Sequence, residues 1–253
     1  MKQLPLLVVF ILITNRIFSQ GLFVQIYDYG YVTQIHDMKQ TTDGGYILAG
    51  SIKDSLTYNT DWLIVKTDLN GEPEWSKIIE SPDNNGSAKY IFQTPDGGYL
   101  VAGSEAYDSG VKYNSIVRKL SAGGDSIWTT VHTMAPISLP CNRFTMTDDG
   151  GYLCGWNYAS DVFMVSRGTA EGETLWTENY NGFNPDNSDT RLMFFEGHIY
   201  ITGLHNSAGG GSGWEYGTYL WKLDTLGNIA SELYIDSLAG KIQLITDDNN
   251  LIF

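Results

Sequence analysis

One stretch comes back along the chain and limits what it can fold into. It reads Thr42-Asp43-Gly44-Gly45-Tyr46-Ile47-Leu48-Ala49-Gly50. It returns as Pro95-Asp96-Gly97-Gly98-Tyr99-Leu100-Val101-Ala102-Gly103 and as Asp148-Asp149-Gly150-Gly151-Tyr152-Leu153-Cys154-Gly155. A looser copy runs from Phe195 to Gly203, and a last one begins at Thr246. The anchors Asp43, Asp96, Asp149, Glu196 and Asp248 give steps of 53, 53, 47 and 52 residues. A fixed period of roughly 50 residues marks a repeat architecture, in which one supersecondary unit is stacked on its neighbours.

The unit itself reads as four short strands. In the first copy, Gln34 to Thr41 is extended, Asp43-Gly44-Gly45 turns the chain back, and Tyr46 to Ser51 is nearly continuously apolar. A polar loop, Ile52 to Thr60, leads to Asp61–Asp68. Leu69-Asn70-Gly71 turns again, and Glu74–Ile79 completes the unit. The turn glycine recurs at Gly71, Gly124, Gly172 and Gly227. The position four residues later holds Trp75, Trp128, Trp176 and then Ser231. Four strands per unit with glycine turns predict an all-β chain, a β-propeller of four-stranded blades.

The spacing predicts blades near residues 34–79, 87–131, 140–180 and 189–235, with a partial blade at 241–253. Leu22–Tyr27 stands before Asp43 as Trp75 stands before Asp96. It therefore reads as a fourth strand lacking its first three, the kind that closes a propeller ring and removes its free edges. About four and a half blades do not close, so the expectation is an open propeller and a fragment of a longer one. Blade 3 is irregular: one residue is missing between Asp149 and Gly155, and one is extra between Asp161 and Gly172.

The first residues are a separate matter. Lys2 precedes an apolar run from Leu4 to Ile13, followed by a polar exit to Gln20. This is the pattern of a secretory signal peptide over residues 1–20, leaving 21–253 as the propeller, secreted or at the cell surface. The run is too short to span a bilayer, so no membrane insertion is expected after cleavage. Net charge is −14, which repels phosphate backbones and argues against nucleic acid. Export permits disulfides, and Cys141 and Cys154 flank the third turn. If Asp149-Gly150 is the tip of a two-residue hairpin, the two cysteines stand about four residues, or ~13 Å, out of register. That separation predicts two free, partly buried thiols.

The pattern Asp-Gly-Gly-Tyr-Ile/Leu-x-Ala-Gly, then Asp61-Trp62-Leu63-Ile64-x-Lys66-x-Asp68-x-x-Gly71, then Trp75, resembles a family of secreted bacterial repeat proteins common in Bacteroidetes. The resemblance covers about Leu22 to Phe253. It implies a β-propeller, export, and a C-terminal sorting domain of type IX secretion, which this sequence does not show. A second similarity is to quinoprotein-type repeats, in which Asp-x-x-x-Gly-x-x-x-Trp docks neighbouring blades. Asp68 to Trp75 matches it, whereas Ser121 and Thr169 replace the Asp in later copies.

No catalytic motif is present. The repeated Trp75, Trp128 and Trp176 predict packing between blades, since a residue that recurs at one place from blade to blade serves something those blades share. Lys66, Lys119 and Lys222 read as strand-end lysines with their stems along the sheet. His36, His132, His198 and His205 have no paired-ligand spacing, so no metal and no cofactor is expected. Asp83, Asp108, Asp161, Asp186 and Asp189 lie in loops where a glycosidase could place a carboxylate pair. The loops that vary between copies, which include Leu204 to Gly217, should share one face of the disc. Variable loops on a regular scaffold are where binding concentrates. Trp214 and Tyr216, aromatics in a Gly-rich loop, are the candidate binding residues. The function expected is a protein- or glycan-binding scaffold. The alternative is a propeller enzyme, a glycosidase or quinoprotein-like oxidoreductase, with its site in the central funnel.

Overall fold

A computed structural model describes residues 32–83, 85–107, 112–132, 141–159, 162–181, 190–208 and 214–236. The signal segment, the strand expected at 22–27 and the partial blade at 241–253 lie outside the described residues. Within them the chain is a β-propeller arrangement of four antiparallel four-stranded sheets, each in sequence order. Blade 1 is β1 (Val32–Gln40), β2 (Tyr46–Lys53), β3 (Thr60–Thr67) and β4 (Pro73–Ile79). Blade 2 is β5 (Gly86–Gln93), β6 (Tyr99–Tyr107), β7 (Lys112–Leu120) and β8 (Ser126–His132). Blade 3 is β9 (Arg143–Met146), β10 (Tyr152–Ala159), β11 (Val162–Gly168) and β12 (Thr174–Asn181). Blade 4 is β13 (Arg191–Phe195), β14 (His198–Ala208), β15 (Trp214–Leu223) and β16 (Ile229–Asp236). The first strands face one another, β1 against β5, β5 against β9 and β9 against β13, so they are the inner strands. Among the described residues no ladder joins the first sheet to the fourth.

The repeated Asp-Gly-Gly is a three-residue turn rather than the two-residue hairpin considered from sequence. Gly44 donates its N–H to Thr41 O at 2.9 Å, and Thr41 donates back to Gly45 O at 2.9 Å. The same pair of bonds closes Thr94–Gly98 and Thr147–Gly151. Gly44, Gly97 and Gly150 have φ of 89°, 82° and 79°, the left-handed conformation such a turn demands. The following glycine answers a different need. A Cβ on Gly45 would stand 2.1 Å from Thr67 O, so only glycine lets β3 pass so close.

This turn corrects the cysteine expectation. The extra turn residue slips the register, so Cys154 faces Phe144 and Gly155 faces Arg143. Asn142 also donates to Gly155 O at 3.2 Å, so two residues oppose one and Cys141 is drawn inward. The Cα atoms then stand 6.3 Å apart and Cys141–Cys154 is a disulfide, both residues buried. The free-thiol reading failed because it assumed the shorter turn and no bulge.

The core lies between blades. Ile47, Ala49, Trp62 and Ile64 of blade 1 pack on Ile91, Tyr99 and Val101 of blade 2. Leu100, Ala102 and Val117 face Phe144, Tyr152 and Trp156 of blade 3. Leu153, Phe163 and Val165 face Ile199, Ile201 and Trp221 of blade 4. The nearly continuous apolar second and third strands follow from this, because both faces of those strands are covered.

Candidate functional site

The recurring side chains hold the scaffold together. Trp75 meets Tyr99 of the next blade edge-on, with centroids 5.9 Å apart. Trp128 lies against Tyr152 at 6.2 Å and donates Nε1–H to Ala170 O at 3.0 Å. Trp176 donates to Thr225 O, also at 3.0 Å. Each indole therefore docks on the third turn of the following blade. The turn glycine is what admits it: a Cβ on Gly124 would stand 2.8 Å from Trp75, and one on Gly172 would stand 2.7 Å from Trp128. Asp68 and Asp224 accept backbone N–H groups within their own turns, and Ser121 and Thr169 do the same with hydroxyls. The Asp of the quinoprotein-like pattern is thus a turn residue here, and Ser or Thr can replace it.

The third-strand cations do more than line the sheet with their stems. Lys66 is buried and pairs with Asp43 at 2.8 Å and Glu74 at 2.9 Å. Lys119 pairs with Asp96 at 2.7 Å and also donates to Thr94 Oγ1. In blade 3 the same place is taken by Arg167, at 2.6 Å from Asp149. The Lys119 hydrogen bond, with help from Thr94, holds the Asp96 carboxyl down at about 2. Burial works against the Lys66 charge, yet Asp43 and Glu74 hold its pKa above the usual lysine value. The Asp-Gly-Gly turn is thereby tied to the third strand of its own blade. The pairing is invisible when each motif is compared only with its copies and not with the lysine downstream. The threonine two positions before each Asp (Thr41, Thr94, Thr147) was an unused signal of the same unit.

Blade 4 departs from this pattern. Its first turn shrinks to Glu196-Gly197, since Phe195 faces His198 directly. Lys222 lies over the Tyr200 ring, 5.9 Å from its centroid. Ile199 stands where blades 2 and 3 have Tyr99 and Tyr152. Tyr180, from the outer strand of blade 3, brings an aromatic to this junction instead. It donates its hydroxyl to Gly227 O at 2.8 Å and lies 5.8 Å from the Trp221 ring. Burial pushes the Tyr180 phenol well above the usual tyrosine value, so it acts as a neutral donor.

Beside these rings a cleft of about 400 Å³ opens between blades 3 and 4. Asn179, Tyr180 and Asn181 line one side, and Tyr219, Trp221, Ile229 and Glu232 line the other. Tyr219 faces its cross-strand partner Tyr234 at 4.8 Å, and Tyr234 is exposed. The cleft thus offers aromatic surface flanked by two amides and a carboxylate. A volume in the range of about 300–1,000 Å³ with aromatic walls and few polar groups is the usual form of a small-ligand site. Another cleft, of about 490 Å³, lies at the β2–β3 end of blade 1. Asp61 and Glu80 share it, and Asp61 spends one oxygen on the Ser81 N–H at 2.9 Å.

Among solved structures, the chain is similar to the β-propeller domain of the Trilobed protease from Pyrococcus furiosus. Identity is 11% and the TM-score is 0.49 over 80% of this chain. The match covers 57% of that chain, so this one spans a little over half of its length. No family model matches the sequence, and no curated protein matches it.

The residues singled out from sequence are scattered. Trp214 and Tyr216 lie in strand β15, facing Ala208 and Asn206, and not in a loop; their side chains lie outside the described residues. The β14–β15 ladder absorbs most of Leu204–Gly217 because alternate pairing continues to Ala208. Asp108, Asp161, Asp186 and Asp189 lie outside the described residues, and Asp83 is half-buried. His36, His132 and His198 sit in different blades, and His205 falls in β14. His132 is buried against Tyr152, and burial lowers its pKa to about 4. Among the described residues no group of His, Cys, Asp and Glu is placed to hold a metal. The residues that sequence reading missed are Tyr180, Tyr219, Trp221 and Tyr234. Register now puts Tyr219 and Trp221 where blade 1 has Leu63 and Val65. Comparing the third strands position by position would have flagged them.

Proposed function

We propose that this chain is an exported β-propeller that binds a glycan, with its contact surface in the cleft between blades 3 and 4. The observation that carries the reading is the aromatic cleft itself. Tyr219 offers ring surface in its wall, with the exposed Tyr234 ring beside it, and Asn179, Asn181 and Glu232 offer donors and acceptors at its margin. Sugar rings present apolar C–H faces with hydroxyls around the edge, which suits a wall that is flat, aromatic and polar at its margin. Strand β15 also carries Trp214 and Tyr216, which extend the aromatic content of the same element.

Export is supported by the signal pattern at residues 1–20 and by the buried Cys141–Cys154 disulfide, since such bonds persist in oxidising compartments. Kinship with secreted Bacteroidetes repeat proteins belongs to the same proposal and rests on the repeat motif. The test is a printed glycan array probed with residues 21–253. Saturable binding to one sugar class is expected, and a blank array overturns the glycan reading. A protein ligand would then be the remaining occupant. Cell fractionation checks export separately: full-length protein should leave the cytoplasm, and deletion of residues 2–20 should retain it there.

A further inference from the structure

The inner strands carry the opposite charge balance from the chain they belong to. The protein has 29 Asp and Glu against 15 Lys and Arg. Yet β1, β5, β9 and β13 hold Lys39, Lys89, Arg143 and Arg191 against a single carboxylate, Asp37. That carboxylate is already engaged. Its Oδ1 accepts from the Met38 N–H at 2.9 Å and from Lys39 Nζ at 2.7 Å, and its Oδ2 accepts from the Ile91 N–H at 3.0 Å. Asp37 therefore neutralises Lys39 and locks β1 onto β5, and among the described residues Lys89 is left with no counter-charge.

Lys89 is half-buried, and its ammonium lies 3.1 Å from His36 Nε2. Among the described residues no carboxylate lies within ion-pair distance of it. An ammonium has three N–H donors, so a neutral imidazole accepting one leaves two unspent. Burial, with the Lys89 charge adding to it, holds the His36 pKa below the ordinary value, which keeps the ring neutral and accepting.

The placement of the pair is built into the backbone. His36 is the extra residue of a bulge between Ile35 and Asp37, and Lys89 is the extra residue of the matching bulge between Ala88 and Tyr90. Bulges re-aim side chains, and two matched bulges aim these two at one another across the blade junction. The corresponding residue of blade 3 is Asn142, whose carbonyl accepts from Tyr90 at 2.5 Å and from Arg143.

A partly buried ammonium with no carboxylate costs stability unless an anion joins it. We infer that Lys89 and His36 form the floor of an oxyanion site on the inner strands of blades 1 and 2, which takes the carboxylate or phosphate of a small ligand. Lys89 supplies two charge-assisted hydrogen bonds, His36 fixes the ammonium, and the remaining inner-strand cations supply a favourable field. This site is separate from the blade 3–4 cleft and shares no residue with it.

The test is calorimetric titration of residues 21–253 at low ionic strength with glucuronate, inorganic phosphate and, as the uncharged arm, glucose. Glucuronate or phosphate should bind and glucose should not; whichever anion binds identifies the source of the oxyanion. Lys89→Met should weaken that binding at least tenfold, and Lys89→Arg should restore most of it. Lys89→Met should melt at the same temperature as wild type or higher, because it removes an uncompensated cation, and Tyr219→Ala should leave the anion response intact. Failure of both anions to bind, or equal affinity in wild type and Lys89→Met, would overturn the site.

Discussion

The junction between blades 2 and 3 and the junction between blades 3 and 4 solve the same packing problem differently. At the first, Trp128 lies on Tyr152, threads past Gly172 and bonds Ala170 O, all from residues that recur in the repeat. At the second, Trp176 makes the matching bond to Thr225 O, but the tyrosine of the repeat is gone. Tyr180 and Trp221 fill part of the space with rings from other positions, and the cleft lined by Tyr219 and Glu232 remains. The difference separates two kinds of residue. Those that recur from blade to blade hold blades together; those peculiar to one junction leave a cleft open beside them.

The largest expected effect strikes the regular junction. Gly172→Ala puts a Cβ against Trp128 at a φ of 91°. Left-handed strain and overpacking together should cost about 2–4 kcal/mol in chemical denaturation. Gly197→Ala is the control, since its φ is 70° with nothing within 4 Å, and it should cost only about 1–2 kcal/mol. Equal losses at the two sites would deny the Trp-docking role of the turn glycine.

Removing the disulfide with Cys141→Ala and Cys154→Ala comes next. The bond closes a separation of 13 residues, for which the chain-entropy model gives about 3 kcal/mol. A thermal melt with and without reductant checks it, and the double variant should be insensitive to reductant.

The third effect concerns pH. Lys119 holds the Asp96 carboxyl at about 2, below its ordinary 3.8. A depressed carboxyl stabilises the fold fully above the ordinary value, and that contribution fades as pH falls from about 4 towards 2. Acid unfolding followed by circular dichroism should therefore flatten over this window in Asp96→Asn. An unchanged acid profile would mean that the turn–strand pair adds nothing.

The smallest effect on stability belongs to the irregular junction. Tyr219→Ala removes a half-buried ring from the open cleft and should cost about 1 kcal/mol, the central value for point substitutions.

Much of this architecture is legible in the sequence because a repeat makes each copy a control for the others. The four-stranded unit, the strand order within it and the structural role of Trp75, Trp128 and Trp176 follow from that comparison alone. The disulfide did not, because it turns on one extra turn residue, which an Asp-Gly pair shares with the two-residue hairpin, and on one bulge at Asn142, which has no signature in residue type. The tie between the turn Asp and the third-strand cation was hidden because comparing each motif with its copies does not set Asp43 or Asp96 beside the lysine 23 positions downstream, and blade 3 shortens the step to 18 with Arg167 as the partner. The cleft residues were hidden because aromatics in a third strand look like core until register shows which of them face a gap.

The proposed role of the cleft between blades 3 and 4 as the binding surface is open to direct test. The direct measurement is calorimetric titration of wild type and Tyr219→Ala with the oligosaccharide most strongly retained on the glycan array, alongside melts of both proteins. A binding cleft there requires at least a tenfold loss of affinity in Tyr219→Ala with little change in melting temperature. Equal affinity in the two proteins would contradict it.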